Sequence, residues 1–189
     1  VALIINLLDM NLLKSQIEQA FQNNDPVCIC FNKVDWNKRV IGYVKDVGAS
    51  NKFKLEVLDE FGRKTKVESY SLASIKSLEI GGIYNDNLKK LSNGEFSKIQ
   101  SVPKYYTAGM HNLGIKLSKL KASRTLCTFF FKTEFSIGIV ADVNQEEFSI
   151  KNIASDGTAD GISVFDIAVL TRIRCRTNFE NRIFFLTEK

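Results

Sequence analysis

The side chains that could do chemistry are few, and most are cations. The run TRIRCR, Thr171 to Arg176, alternates arginine with other residues. In a strand this sends Arg172, Arg174 and Arg176 to one face and Ile173 and Cys175 to the other. Three guanidinium forks in a row suit phosphate or carboxylate. The same row serves equally well as the charged guard of an edge strand. A second basic run, KLSKLKASR, holds Lys116, Lys119, Lys121 and Arg124. Lys116 and Lys119 share one helical face, which is either a solvated side or a binding surface. The third candidate is Trp36 in NKVDWNKR, beside Lys38 and Arg39. An aromatic ring flanked by cations can stack on a base or anchor a protein partner. It can equally fold back as a lid on its own domain.

Signals for catalysis are weaker. His111 is the only histidine, and no H-E-x-x-H, G-x-S-x-G or P-loop pattern occurs. Cys28, Cys30, Cys127 and Cys175 contain no C-x-x-C pair, and with one histidine they form no recognisable zinc set. The expectation is a non-enzyme without metal or cofactor. Its cysteines are read as buried free thiols in a reducing, cytoplasmic compartment. The net charge of +5 and pI near 9.0 permit an anionic partner without demanding one. At 44% apolar and 25% charged, the composition is that of a folded soluble protein. The opening VALIINLLDM lacks a basic n-region and an A-x-A site. It is also far shorter than the roughly 20 residues that span a bilayer. Neither a signal peptide nor a membrane segment is expected.

An internal repeat organises the rest. IGYVKDV (41–47) returns as IGIVADV (137–143), identical at five of seven positions. With one deletion in the next loop, Phe53 pairs with Phe148 and Leu55 with Ile150. Gly62 then meets Gly157, Tyr70 meets Phe165, Leu78 meets Ile173, and Leu88 and Leu91 meet Ile183 and Leu186. A lead-in repeats too. Leu13, Ile17 and Ala20 recur as Leu113, Leu117 and Leu120, with the spacing of one helix face. Apolar strands VCICF and LCTFFF follow. Next comes a long second strand with an internal glycine, Gly42 or Gly138, where a sharp bend or close backbone approach is expected. Third strands KFKLEVLD and EFSIKNIA, fourth strands TKVESYSL and GISVFDI, and a tight corner into a fifth complete each unit. The polar stretch 92–104, with Asn93-Gly94 and Pro103, reads as a linker between units 10–91 and 105–189. The arginines of TRIRCR align with Ser77, Glu79 and Gly81, so the repeat itself does not require them.

A short helix followed by five strongly bent strands resembles the Sm-like (LSm, Hfq-type) small β-barrel. The residues carrying the resemblance are G-x-V-x-x-V in the second strand, the apolar third strand, and S-L-A-S-I-x-S-L at the corner before the fifth. It implies a mainly β chain with short helices (α+β). The chain would form two tandem five-stranded barrels, each with a leading helix and a terminal helical turn. It also implies RNA binding and self-assembly into homo-oligomeric rings. The family's Asp-x-x-x-Asn loop has loose counterparts in Asp46 with Asn51 and Asp142 with Asn144, while its Arg-Gly pair is absent from both units. The chain is also similar to small bacterial accessory proteins, including immunity-type proteins that bind a protein partner. The expected function is non-catalytic binding of a macromolecule. RNA is favoured through the basic surfaces, and a protein-binding regulator is the alternative.

Overall fold

The computed structural model describes residues 3–6, 10–31, 39–48, 51–107 and 113–187. Over these residues the chain is α+β, with four helices and two antiparallel six-stranded sheets. It divides into two compact units, Val1–Ser97 and Lys98–Lys189. The first runs β1 (Leu3–Asn6), α1 (Met10–Asn23), β2 (Pro26–Cys30), β3 (Arg39–Val47), β4 (Lys52–Leu58), β5 (Lys64–Ser71), β6 (Ser77–Ile80) and α2 (Gly82–Ser92). The second runs β7 (Lys104–Thr107), α3 (Leu113–Ala122), β8 (Leu126–Phe130), β9 (Phe135–Val143), β10 (Glu147–Ile153), β11 (Ala159–Asp166), β12 (Arg172–Cys175) and α4 (Asn178–Thr187). The strand orders, β1-β6-β2-β3-β4-β5 and β7-β12-β8-β9-β10-β11, are the same plan built twice.

Neither sheet closes into a barrel, contrary to the five-stranded barrels expected. Closure needs the fourth strand of a unit to pair with the fifth. Here the outer edge of β6 pairs with β1, and that of β12 with β7. The extra strands are only four residues long, LIIN and KYYT, and KYYT begins inside the stretch that reads as linker. The terminal helical turns are full helices, of 11 and 10 residues.

Each core forms between the leading helix and one face of its sheet. Leu13, Ile17 and Ala20 of α1 pack with Val27, Ile29, Phe53 and Leu55. Leu117 and Leu120 of α3 pack with Cys127, Phe129, Phe148 and Ile150. The second helix of each unit packs on the opposite side of the central strand, α2 on β2 and α4 on β8. Both faces of β2 are therefore covered, and all five of its residues are buried, including Cys28 and Cys30. Cys127 and Cys175 are buried as well, and none of the four cysteines is in a disulfide. Hydrogen bonding to Cys175, and then burial, push the Cys127 thiol well above a free cysteine's range. Paired rings repeat across the units: Phe31 stacks on Tyr70 at 4.9 Å, and Phe131 on Phe165 at 4.4 Å.

The shared phrase at the start of the repeat has a steric cause. A Cβ on Gly42 would lie 2.1 Å from the Glu56 carbonyl oxygen, and one on Gly138 would lie 2.3 Å from that of Lys151. The second strand thus presses directly on the third. The pairing then slips by one residue just beyond, between Val44 and Asp46 in one unit and between Val140 and Asp142 in the other. Such a slip increases the local twist and bend. Gly62 and Gly157 meet a second constraint. Both have positive φ, at 73° and 87°, and a Cβ there would sit 2.7–2.8 Å from that of Leu91 or Leu186. Gly138→Ala is expected to cost the second unit about 2–3 kcal/mol through this overpacking. Gly42→Ala should do the same in the first. Denaturant unfolding with near-ultraviolet dichroism checks this, and a cost under about 0.5 kcal/mol would contradict the close approach.

Candidate nucleic-acid interface

The register around β12 gathers the candidate side chains of the second unit. Arg172 lies opposite Phe130 on β8 and Thr107 on β7, and Arg174 lies opposite Thr128 and Tyr105. One strand further on, Phe130 lies opposite Phe135 of β9. Directly opposed residues share a face of an antiparallel sheet. Tyr105, Arg172, Arg174, Thr128, Phe130 and Phe135 therefore form one surface, while Ile173, Cys175, Cys127 and Phe129 turn to the core. The Arg172 guanidinium lies 4.1 Å over the Phe130 ring, and Phe135 stands 6.1 Å from that ring at 41°. Phe135 and Tyr105 are 58% and 55% exposed. Exposed rings grouped on one face, rather than scattered singly, are what mark a contact surface.

Arg174 has a different environment from Arg172. Its Nε donates to Glu180 Oε1 at 2.7 Å, and its guanidinium lies 5.4 Å from both the Phe130 and Phe179 rings. Glu180 is buried at 1% exposure. It also accepts from Thr128 Oγ1 at 2.6 Å, from the Thr177 backbone N–H at 3.0 Å and from the Thr177 hydroxyl. Thr177-x-x-Glu180 has the spacing of a capping box, and the half present is the third helical residue reaching back to the cap's backbone N–H, while the Thr177 hydroxyl donates to the same carboxylate. The spacing stands in the sequence as TNFE. Glu180 thus caps α4 and holds Arg174 at once. Burial alone would raise its carboxyl, but the hydrogen bonds from Thr128, Thr177 and Arg174 outweigh burial and hold it below the ordinary carboxylate range. At the matching position of the first unit stands another buried polar residue, Asn85. Its amide donates to the Gly81 and Glu79 carbonyls.

The three-arginine row does not extend as the alternation implied. β12 ends at Cys175, and Arg176 has φ 61°, which takes it out of the strand. Arg172 and Arg174 share the outer face, and Arg172 has no carboxylate partner among the described residues. Lys116 places its Nζ 5.8 Å over the Tyr106 ring, and Lys119 is exposed on α3. Lys121 pairs with Asp142 at 2.8 Å. Arg39 opens β3, with Nη1 3.7 Å from Glu79. Trp36, Lys38 and His111 lie outside the described residues. The exposed aromatic face of Tyr105, Phe130 and Phe135 was not singled out in the sequence, because it exists only once β7, β8 and β9 are in register.

Compared with known proteins, the sequence matches no family model and no curated protein. Among the described residues, no helix is long and apolar enough to cross a membrane.

The Glu180 arrangement has a pH signature. A carboxyl depressed in the folded state stabilises the fold fully above its unfolded value of about 4.3, and this contribution is lost as pH falls through the folded value. Glu180→Gln leaves Arg174 without its counter-charge and is expected to destabilise the second unit by about 3 kcal/mol at pH 7. It should also flatten the acid-side fall in stability below about pH 4.3. Denaturant titrations of both proteins from pH 7 to pH 3 check this. Parallel pH profiles would contradict it.

Proposed function

We infer that the protein is a non-catalytic binding module whose second unit takes single-stranded RNA on the outer face of its sheet. The observation that carries this is the Arg172 guanidinium lying over Phe130, with exposed Phe135 beside it and exposed Tyr105 on the same face. Rings exposed beside α4 on that sheet face offer stacking platforms to bases, and an arginine without a carboxylate partner among the described residues attracts the backbone. Charge distribution favours the same unit. Residues 98–189 contain thirteen Lys and Arg against nine Asp and Glu, and residues 1–97 contain thirteen against twelve. In the first unit the aligned positions are Ser77, Cys30 and Arg39 for Arg172, Phe130 and Phe135, so the platform belongs to one unit only. The Sm-like kinship of each unit remains a proposal. A leading helix followed by five strands in succession, with the hard bend at Gly42 and Gly138, favours it. The added strands β1 and β7 are a departure that takes the fifth strand's outer edge away from any assembly.

One observation favours a protein partner as the second reading. β11 is an edge strand of its sheet and exposes Ile162 (67%) and Val164 (62%). Its charges, Asp160 and Asp166, stand near its two ends with none between, whereas its counterpart β5 has Lys64, Lys66 and Glu68. Such an edge can accept a strand from another chain.

Binding to a fluorescent single-stranded oligoribonucleotide, followed across salt concentration, tests the RNA reading. Affinity should fall steeply with salt. Arg172→Gln should reduce the slope of log affinity against log salt by about 0.7, the value for one phosphate contact on a single strand. Phe135→Ala should weaken binding by about 1–3 kcal/mol, as for one lost stacking partner. Both residues are exposed, so stability should shift by less than about 0.5 kcal/mol. Absence of salt-sensitive binding at low ionic strength would reject RNA. A salt-insensitive interaction lost on Ile162→Lys would point to the protein partner instead.

A further inference from the structure

A cavity of about 170 Å³ opens in the second unit where the α3–β8 turn, the end of β12 and α4 meet. Ser123, Arg124, Thr125, Arg176 and Asn181 line it, with Leu126 and Phe184 as its apolar walls. Glu180 also borders it, but that carboxylate is engaged by Arg174, Thr128 and Thr177. Neither Arg124 nor Arg176 has a carboxylate partner among the described residues. The space would hold roughly six water molecules at about 30 Å³ each. It is smaller than the roughly 300–1,000 Å³ of a site for a whole drug-sized ligand. It is the size of a headgroup.

The first unit shows what the fold does at this address when nothing need bind. The aligned residues are Asn24, Asp25, Gly81 and Lys89 for Arg124, Thr125, Arg176 and Phe184. There Lys89 Nζ donates to Asp25 Oδ1 at 2.7 Å, an ion pair internal to the unit. The second unit replaces both partners with uncharged residues and adds two guanidiniums. Backbone conformation makes the exchange more telling. Asn24 and Gly81 have φ of 51° and 77°, and Arg124 and Arg176 keep that left-handed geometry at 46° and 61°. Asparagine and glycine tolerate it, whereas arginine is disfavoured there. Strained residues that persist at a cavity mark sites of function. Two guanidinium forks without carboxylate partners among the described residues, beside an amide with one hydrogen still to give, suit the acceptor oxygens of a doubly charged tetrahedral anion in a headgroup-sized space.

We propose that this cavity is a phosphomonoester-binding site, with Arg124 and Arg176 as its charge clamp and the second amide hydrogen of Asn181 as a neutral donor; Ser123 donates to the Lys119 carbonyl at 2.9 Å and bonds Thr125 at 2.7 Å, so these two hydroxyls shape the wall. The proposal does not rest on RNA binding at Phe130 and Phe135, which lie outside the cavity lining. A phosphomonoester can be supplied by a free phosphorylated metabolite or by the 5′ end of an RNA, and the chemistry recognised is the same.

The test is a titration of inorganic phosphate into the full chain in low-salt, phosphate-free buffer, followed by amide chemical shifts. Saturable binding is expected, with shifts concentrated at residues 123–126, 176 and 181. Arg124→Asn and Arg176→Gly install the first unit's residues, which suit the left-handed backbone, so melting temperature should hold or rise. Each should weaken phosphate binding about tenfold. If the double variant melts below the working temperature, Arg124→Asn alone, on an exposed turn, carries the same test. Non-saturating shifts in the wild type, or equal phosphate affinity in wild type and variant, would overturn the proposal. A second arm compares ribose 5-phosphate with oligoribonucleotides bearing a 5′-phosphate or a 5′-hydroxyl. A gain in oligonucleotide affinity from the 5′-phosphate that disappears in the variant assigns the headgroup to an RNA end. Arginine-dependent binding of ribose 5-phosphate, without that gain, assigns it to a metabolite. Loss of oligonucleotide binding alone would reject the RNA platform and leave the phosphate site standing.

Discussion

The second strand of each unit lies so close to the third that a neighbouring carbonyl oxygen fills the space of a Cβ. Much of the architecture follows from that contact. With Gly42 against Glu56 and Gly138 against Lys151, the strand can bend, and the pairing slips a residue further on. The bend brings Phe53 and Leu55, or Phe148 and Ile150, over the leading helix, where they are almost wholly buried. It also returns the chain so that the fifth strand can pair beside the first. The central strand is then flanked on both edges and covered on both faces, which is why β2 is buried without alternation.

Because the scaffold is set by those contacts, the remaining positions were free to diverge. The first unit ties its cations down: Lys45 and Lys64 to Glu56, Lys54 to Asp46, and Lys89 to Asp25. Such pairs on a surface add little stability, typically about 0–1 kcal/mol each. Their larger consequence is electrical, since a paired lysine contributes little net field. In the second unit Arg124, Arg172 and Arg176 are left without carboxylates among the described residues. Lys121 is paired with Asp142 and Arg174 with Glu180, and Glu180 also starts α4. Removing one charge of the Arg174–Glu180 pair would disturb both the helix start and the sheet face, so the buried acid fixes the platform beside it.

The repeat, the leading helices, the bend glycines, the α+β content and the burial of all four cysteines were legible in the sequence. Each depends on local spacing or on side-chain size. Four features were not. β1 and β7 are four residues each, too short to show a period, and their place is set by the edge they cover. The closing helices bury Asn85 and Glu180, where an apolar reading favours the neighbouring Tyr84 and Phe179. The Thr177-x-x-Glu180 cap was present as a spacing, yet it sits next to TRIRCR, whose alternation suggests that the strand continues through Arg176. The platform of Tyr105, Phe130 and Phe135 draws on three strands distant in sequence, and only cross-strand register puts them on one face.

Duplication explains how one fold can hold both a closed and an open version of the same corner. At the junction of the α1–β2 turn with α2, an aspartate and a lysine satisfy each other, and the left-handed turns are occupied by residues that accept them readily. At the α3–β8 turn and between β12 and α4 the same backbone is kept, but Arg124 and Arg176 take the left-handed positions and the ion pair is gone. Folding alone favours the first solution: it leaves fewer unpaired cations and less backbone strain. The second keeps more backbone strain and leaves two exposed guanidiniums to meet solvent, or the anion proposed above. The two halves of the chain therefore provide their own comparison, with the backbone held constant and the charges exchanged.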